Sequence, residues 1–261
     1  MAPRFSRPRL IDESDRQYRA HLAQIMMTKD NHRPTRPPFA RELFGGEAEI
    51  ALRQLLAERY ILSARRLIEY LEHRGRSAIK KYRELDAVVI NGPTVQIFEI
   101  KASQKAISVR RAARQLRDSA ELLRMLFRTV QATILLVDTG IPQTAEQVAE
   151  IMAAEDAPYQ PPLLLDEVLA LLPEVQLVGS LDQRPTDPQV VSLLRFSVDD
   201  IIAIAGAENL HLNWDEDDDL PDDSEADAPI DDVAPAEQED GDGDGGAFAE
   251  ALRRAMEQGK R

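Results

Sequence analysis

Residues 84–101 read ELDAVVINGPTVQIFEIK, two apolar segments joined by a short polar one. Both halves are rich in Val and Ile, which favours β-strands, and the Asn91-Gly92-Pro93-Thr94 sequence between them favours a turn. The stretch therefore predicts a β-hairpin. Because side chains alternate along a strand, we expect Glu99 and Lys101 to project from one face and Asp86 to lie beside them.

Asp86, Glu99 and Lys101 are thus predicted to converge at the end of an otherwise apolar sheet. Charges in such a place are costly unless they bind a metal ion or a substrate. Two acidic groups suit Mg²⁺, which prefers oxygen ligands and keeps several of its waters. The other interpretation is that Asp86 ends a strand in solvent and that Glu99 and Lys101 form an exposed face.

The pattern Asp86…Glu99-Ile100-Lys101 is set in a recognisable order of predicted elements. A helix over about 46–58 precedes the hairpin, a long helix over about 109–128 follows it, and a strand over 132–138 comes next. In this order the pattern resembles the PD-(D/E)XK nuclease superfamily over roughly residues 44–139. No Pro precedes Asp86, a departure that many members of the superfamily share.

The resemblance implies a fold, an activity and a set of site residues. The fold is an α/β restriction-endonuclease-like αβββαβ core, with a mixed central sheet flanked by helices. The activity is Mg²⁺- or Mn²⁺-dependent hydrolysis of phosphodiester bonds in DNA. Asp86 and Glu99 would bind the metal, with the carbonyl of Ile100 as a third protein ligand. Lys101 would orient or deprotonate the attacking water and offset charge at the scissile phosphate.

Two further site residues follow from the same resemblance. The first core helix of the superfamily often supplies a Glu, and we narrowly prefer Glu47 to Glu49; the alternative for both is ordinary first-turn placement near the helix dipole. Exonuclease-like branches carry a Gln on the helix after the Lys. Gln115 is the candidate here, and a surface Gln is the alternative.

The predicted helix over 109–128 and the residues before it carry an excess of basic side chains. Lys105, Arg110, Arg111, Arg114 and Arg117 are the predicted nucleic-acid contacts, because such a row can neutralise backbone phosphates. The alternative is that these long side chains cover the solvated face of an ordinary helix. More basic residues lie on the neighbouring predicted strands and loop: Arg65, Arg66, Lys80, Lys81 and Arg83.

Length and composition indicate one domain with extensions. The predicted segments are a basic N-terminal extension (1–40), the nuclease-like core (41–140), an α/β extension that packs on the core (141–213), a disordered acidic linker (214–246) and a short amphipathic helix (247–261). Cys is absent and the four His residues lack metal-ligand spacing, which argues against thiol or zinc chemistry. No apolar run is long enough to cross a membrane, and we expect a cytoplasmic protein.

The acidic linker dominates the charge of the chain. From Asp215 to Asp244 there are 16 acidic residues and no basic ones, while the whole chain carries −14 and the last 15 residues +2, so the remainder is neutral. The linker is either a solvating segment or a competitor with DNA for the basic surface. Beyond it, Phe248, Leu252 and Met256 recur every four residues, which favours a helix that docks on a partner protein or a frayed terminus.

The pattern and the resemblance together predict a DNA nuclease, and the resemblance implies a place in a bacterial defence or DNA-processing complex. The alternative is a non-catalytic nuclease-like subunit that binds DNA or recruits a protein partner through residues 141–213 or the last helix. The presence of Asp86, Glu99 and Lys101 together favours catalysis. The sequence does not indicate the oligomeric state.

Overall fold

The computed structural model of the protein describes residues 4–28, 39–74, 77–154 and 158–212. The predicted acidic linker and terminal helix lie outside these residues. The described elements are β1 (Phe5–Ile11), α1 (Arg16–Thr28), α2 (Ala40–Arg59), β2 (Leu67–Arg74), β3 (Ser77–Glu84), β4 (Ala87–Asn91), β5 (Thr94–Ser103), α3 (Ser108–Leu123), β6 (Thr129–Asp138), α4 (Ala145–Ala153), α5 (Leu165–Ala170), β7 (Val175–Leu177), β8 (Val191–Ser197) and α6 (Val198–Ala205).

A mixed five-stranded sheet, in the order β4-β5-β6-β8-β7, forms the centre of the fold. The predicted hairpin is confirmed: β4 and β5 pair antiparallel around a turn in which Gly92 has a φ of 57°, a conformation that favours glycine. The β5–β6, β6–β8 and β7–β8 pairs are parallel. The predicted α/β class, with a mixed sheet flanked by helices, is therefore confirmed.

Strand β5 is apolar on both faces because helices cover both. Val95 and Ile97 share one apolar cluster with the buried side of α3, whereas Phe98 and Ile100 share another with the buried side of α2. Alternation along β5 then assigns Glu99 and Lys101 to the α3 face, at the carboxyl end of the strand. The core thus fixes where the charged residues emerge.

A substitution of Leu116 on α3 tests this packing, because the Leu116 side chain is fully buried in the cluster beneath the helix. We expect Leu116→Ala to lower the free energy of unfolding by about 2–5 kcal/mol, through lost burial and the cavity left behind. Urea unfolding measures the change. Glu121→Ala, on the exposed side of the same helix, should change stability by no more than about 0.5 kcal/mol.

A second sheet, in the order β1-β2-β3, packs an apolar side against α3. Two acids of β2 are buried despite their charge: Glu72 lies on the α3 side by alternation, and Glu69 on the other side. Glu69 binds Arg9 of β1 at 2.9 Å, and Glu72 binds Lys81 of β3 at 3.1 Å. The first of these ion pairs attaches the N-terminal strand β1, which was not predicted from the sequence, to the rest of the chain.

Several element boundaries differ from the predictions: α2 begins at Ala40 rather than at about 46, and β6 begins at Thr129 rather than at 132. Helix α3 ends at Leu123 rather than at 128, and residues 124–126 continue it only as turns. The single strand predicted over 84–90 is divided, since β3 ends at Glu84 and β4 begins at Ala87. Asp86 therefore lies in the junction between two strands, where its side chain is not committed to a sheet face.

Residues from the predicted extension at 141–213 complete the central sheet, because they supply β7 and β8. The register aligns Lys101 of β5 with Leu136 of β6, and Leu136 with Arg195 of β8. Within the described residues, no helix has the length and apolar character needed to cross a membrane.

Candidate active site

Asp86, Glu99 and Lys101 meet at the carboxyl end of β5. The register pairs Ala87 with Phe98, so that Asp86, one residue earlier, comes opposite Glu99. The Ile100 amide donates a hydrogen bond to Asp86 Oδ2 at 2.6 Å, and Lys101 Nζ lies 2.9 Å from Glu99 Oε1. The structure thus brings the three predicted residues into one cluster.

Because the cluster is largely buried, its charges are poorly solvated and interact strongly with one another. The Glu99 side chain is only 9% exposed and that of Lys101 is 34% exposed. Burial, followed by the nearby Glu99 and Glu49 carboxylates, raises the pKa of Asp86 well above its usual range. Burial opposes the charge of Lys101, but Glu99 and Asp86 outweigh that effect and raise the pKa of the ammonium.

Glu49, rather than the preferred Glu47, is the α2 acid associated with the cluster. Burial raises the pKa of Glu49, and the charge of Glu99 adds to that rise. Glu47 instead binds His211, whose backbone amide donates to Glu47 Oε2 at 2.7 Å. The helical positions differ by two residues, which rotates the two side chains to different sides of α2.

Arg66 is a component that the sequence analysis did not assign to the site. It binds Glu84 at 2.7 Å and also contacts Glu13, and its side chain is only 12% exposed. Its charge partly offsets that of Glu49. A lone Arg before a strand gave no sequence signal, because its partners lie at the end of β3 and in the loop after β1.

The donor set around Asp86 and Glu99 fits a small divalent cation. Both are carboxylates, and burial together with the Glu99 and Glu49 carboxylates raises the pKa of Asp86 despite the nearby Lys101. Over the described parts of the chain, no three His, Cys, Asp or Glu side chains form a metal-binding group. Two carboxylate ligands are a number usual for Mg²⁺, which retains several waters.

Ile100 and Gln115 lie in positions that fit their expected roles only in part. Ile100 separates Glu99 from Lys101, and its side chain is buried on the opposite face of the sheet. The buried Oε1 of Gln115 has no hydrogen-bond partner among the described residues. Gln115 makes no hydrogen bond to the Asp86 cluster either; its main-chain carbonyl accepts one from Arg83 at 2.9 Å.

The basic side of α3 is exposed, as an amphipathic helix requires. Arg110, Arg111 and Arg114 are exposed and form no ion pair with a described acid, whereas Arg117 binds Glu174 at 3.0 Å. Arg111 is close enough to Lys101 to influence its charge. Lys105 lies in the loop before α3, where its amide donates to Ser103 Oγ. The first two turns of α3 therefore present positive charge next to the cluster.

Other basic residues near the site are already paired with acids. Lys80 lies 3.4 Å from Glu69, Lys81 pairs with Glu72, and Arg83 lies 3.4 Å from Asp118. Together with Arg66, these residues stabilise the small sheet rather than enlarge the positive surface. Arg65 is exposed.

The surface beside the cluster is open. A shallow groove runs along α2 next to Glu49, and its lining combines apolar and polar side chains: Glu49, Ile50, Arg53, Gln54, Ala57 and Leu62. An open surface of this kind suits a polymer better than a small molecule, which normally needs an enclosed pocket.

Comparison with known proteins does not identify the function of the chain. No protein-family model matches the chain, and no curated protein is similar to it at a significant level. What the chain does has to be inferred from the geometry of the Asp86–Glu99–Lys101 cluster and of the α3 surface.

Proposed function

We propose that this chain is a Mg²⁺- or Mn²⁺-dependent nuclease that hydrolyses phosphodiester bonds in DNA. The observation that carries the proposal is the convergence of Asp86, Glu99 and Lys101 at one end of β5, with an ion pair of 2.9 Å between the last two. The exposed Arg110, Arg111 and Arg114 beside the cluster add a surface for a polyanion.

The order of elements supports a restriction-endonuclease-like core. Helix α2 precedes the β4–β5 hairpin, and α3 and the parallel strand β6 follow it. Leu62 also forms an isolated antiparallel bridge to Val89, which places a short additional segment on the free edge of β4. With the Leu62 segment counted as a strand, and with β2 and β3 assigned to the second sheet, this arrangement supports the proposed αβββαβ core.

Each residue of the cluster has a separate task in the proposed reaction. Asp86 and Glu99 would hold the cation, and the Ile100 amide keeps the Asp86 carboxylate oriented. The bound cation supplies Lewis acidity and lowers the pKa of the attacking water. Lys101 would position that water or accept its proton, and would offset charge that develops on the phosphate.

The direct test is incubation of the full chain with supercoiled, linear and single-stranded DNA, with Mg²⁺, with Mn²⁺ and with EDTA. Cleavage that depends on the cation supports the proposal. DNA binding without cleavage in any of these conditions would favour the non-catalytic subunit instead. Comparing circular with linear substrates separates cutting within a strand from cutting at its ends.

A charge series on α3 tests the nucleic-acid surface. We expect Arg110→Gln/Arg111→Gln/Arg114→Gln to weaken duplex binding about tenfold or more, and to reduce the slope of log K against log[salt] by about 2.7, since three fewer phosphates are neutralised. Fluorescence anisotropy at several salt concentrations measures both. The control is Arg124→Gln/Arg128→Gln, beyond the other end of the helix. It should change the affinity and the salt slope less than the triple variant does. An unaltered slope in the triple variant would show an ordinary solvated face.

A second comparison separates the two acids of α2. We expect Glu49→Gln to reduce the cleavage rate about 10- to 100-fold, because Glu49 contributes to the electrostatic environment of Glu99 and Asp86. Glu47→Gln should leave cleavage nearly unchanged, since Glu47 contacts His211. Rates under single-turnover conditions measure the effect. The reverse order of effects would restore Glu47 as the site residue.

A further inference from the structure

We propose that the acidic linker of this chain docks on the first two turns of its own α3. The surface consists of Arg110, Arg111 and Arg114, and the occupant is the tract from Asp215 to Asp244. The docking is inferred from the opposite charges of the two segments and from their position in one chain. Only its effect on the affinity for DNA depends on the proposed function.

The α3 surface is positive, and its charges are not neutralised by acids of the described chain. Arg110, Arg111 and Arg114 are exposed and pair with no described acid. The acids closest to them in sequence offer little competition: Asp118 is occupied by Arg83, and Glu121 lies about two turns further along the helix from Arg114. A polyanion would therefore meet three guanidinium groups, the side chains best suited to bind carboxylates in pairs of hydrogen bonds.

The described chain ends on the α2 side of the central sheet, opposite the side that α3 covers. Leu210 and Leu212 pack against the apolar cluster that also includes Phe98 and Ile100 of β5. Between them, His211 is held by Glu47 through its backbone amide, at 2.7 Å, and through its imidazole, at 2.5 Å. The chain is thus fixed near the carboxyl end of β5 only three residues before the acidic tract begins.

The same end of β5 leads directly into α3. Only four residues separate Ser103, the end of the strand, from Ser108, the start of the helix. Residues 213–244 could span up to about 100 Å if fully extended, whereas all of α3 is about 24 Å long. Reach therefore does not limit docking, and the shared chain raises the local concentration of the tract.

The composition of the tract complements the surface. It has 16 acidic residues and no basic ones, so every register along it presents carboxylates. DNA would present phosphates to the same three Arg residues. Tract and DNA therefore exclude each other, and docking would lower the apparent affinity of the full chain for DNA, most strongly at low ionic strength.

Because the chain contains no Cys, a single Ser224→Cys substitution allows one nitroxide label in the middle of the tract. We expect this label, in the full-length protein, to broaden the amide signals of residues 108–116 at about 0.01 M ionic strength, where the Debye length is about 30 Å. The broadening should disappear at about 1 M, where that length falls to about 3 Å. It should also disappear in the triple Arg→Gln variant and persist in Arg124→Gln/Arg128→Gln.

The outcomes separate this inference from the proposed nuclease. Absence of broadening on α3, or equal broadening of all exposed segments, overturns the docking whatever the DNA assays show. Broadening on α3 that a short duplex oligonucleotide reverses supports both the docking and the shared surface. Broadening that duplex DNA does not affect supports the docking and contradicts the DNA-binding role of α3. A full-length variant with all tract acids changed to Asn or Gln should bind the duplex about tenfold or more tightly than the unmodified chain.

Discussion

Lys101→Met protein should fold and bind DNA but cleave it about 10²- to 10⁴-fold more slowly than the unmodified chain. This range is typical for the loss of a group that transfers or positions a proton in the transition state. Met keeps most of the length of the side chain but removes the ammonium that lies 2.9 Å from Glu99. The measurement is the single-turnover cleavage rate at saturating Mg²⁺.

Two companion variants identify what Lys101 does. Lys101→Arg retains the positive charge, so it should recover part of the rate if Lys101 acts by charge, and none of it if Lys101 accepts a proton, because Arg stays protonated. Lys80→Ala removes an exposed Lys whose partner is Glu69, and it should leave the rate unchanged. Cleavage by Lys101→Met at the unmodified rate would remove Lys101 from the site.

The central hairpin could be predicted because local signals and tertiary structure agree there. Val and Ile on both sides of Gly92 favour strands, and both faces of β5 are covered by helices, so burial reinforces the propensity. The alternation that put Glu99 and Lys101 on one face needed no long-range information. The pairing that brings Asp86 beside them followed from the length of the turn alone.

The second sheet was harder to predict because its strands lack an apolar pattern. In β2 and β3, charged residues such as Glu69, Glu72 and Lys81 occupy positions that a half-buried strand usually gives to apolar side chains. They are stabilised by partners on neighbouring strands: Glu72 by Lys81 of β3, and Glu69 by Arg9 of β1, 60 residues away. No local window contains both Glu69 and Arg9, so the sequence pattern did not reveal that β1 pairs with β2.

The choice between Glu47 and Glu49 depended on the same kind of long-range contact. Both residues occupy the first half of α2, and either could face the sheet edge by periodicity. His211 binds Glu47 across 164 residues of sequence, whereas Arg66 and Glu99 influence Glu49. Only the folded chain brings these partners together, so the sequence could not show that Glu49 rather than Glu47 is associated with Glu99.

Asp86→Asn should abolish cleavage while making the metal-free protein more stable, by about 0.5–2 kcal/mol at neutral pH. Asn can still accept the hydrogen bond from the Ile100 amide, but it removes a buried negative charge that Glu99 and Glu49 repel. The gain in stability and the loss of activity have the same origin, since the crowded carboxylates that bind a cation destabilise the protein without one. Urea unfolding in EDTA measures the first effect.

The stability gain expected for the Asp86→Asn variant should depend on pH in a definite direction. Because the folded-state pKa of Asp86 lies above its unfolded value of about 3.9, the folded protein retains the proton longer. The stability contributed by the protonated carboxyl is complete below that value and is lost as the pH rises through the folded pKa. The uncharged amide of the Asp86→Asn variant undergoes no such loss, so the stability difference between this variant and the unmodified protein should increase with pH over the acid range.

Magnesium should reverse the order of stabilities. A cation that binds only the folded state stabilises it by mass action, so Mg²⁺ should stabilise the unmodified protein and have little effect on Asp86→Asn. Asp118→Asn provides the matched control, because its carboxylate is paired with Arg83 and Arg4 and its loss should not stabilise the protein. If Asp86→Asn is less stable than the unmodified protein at every pH in EDTA, the Asp86 carboxylate is compensated within the chain, and the main physical reason for placing a cation beside Glu99 is lost.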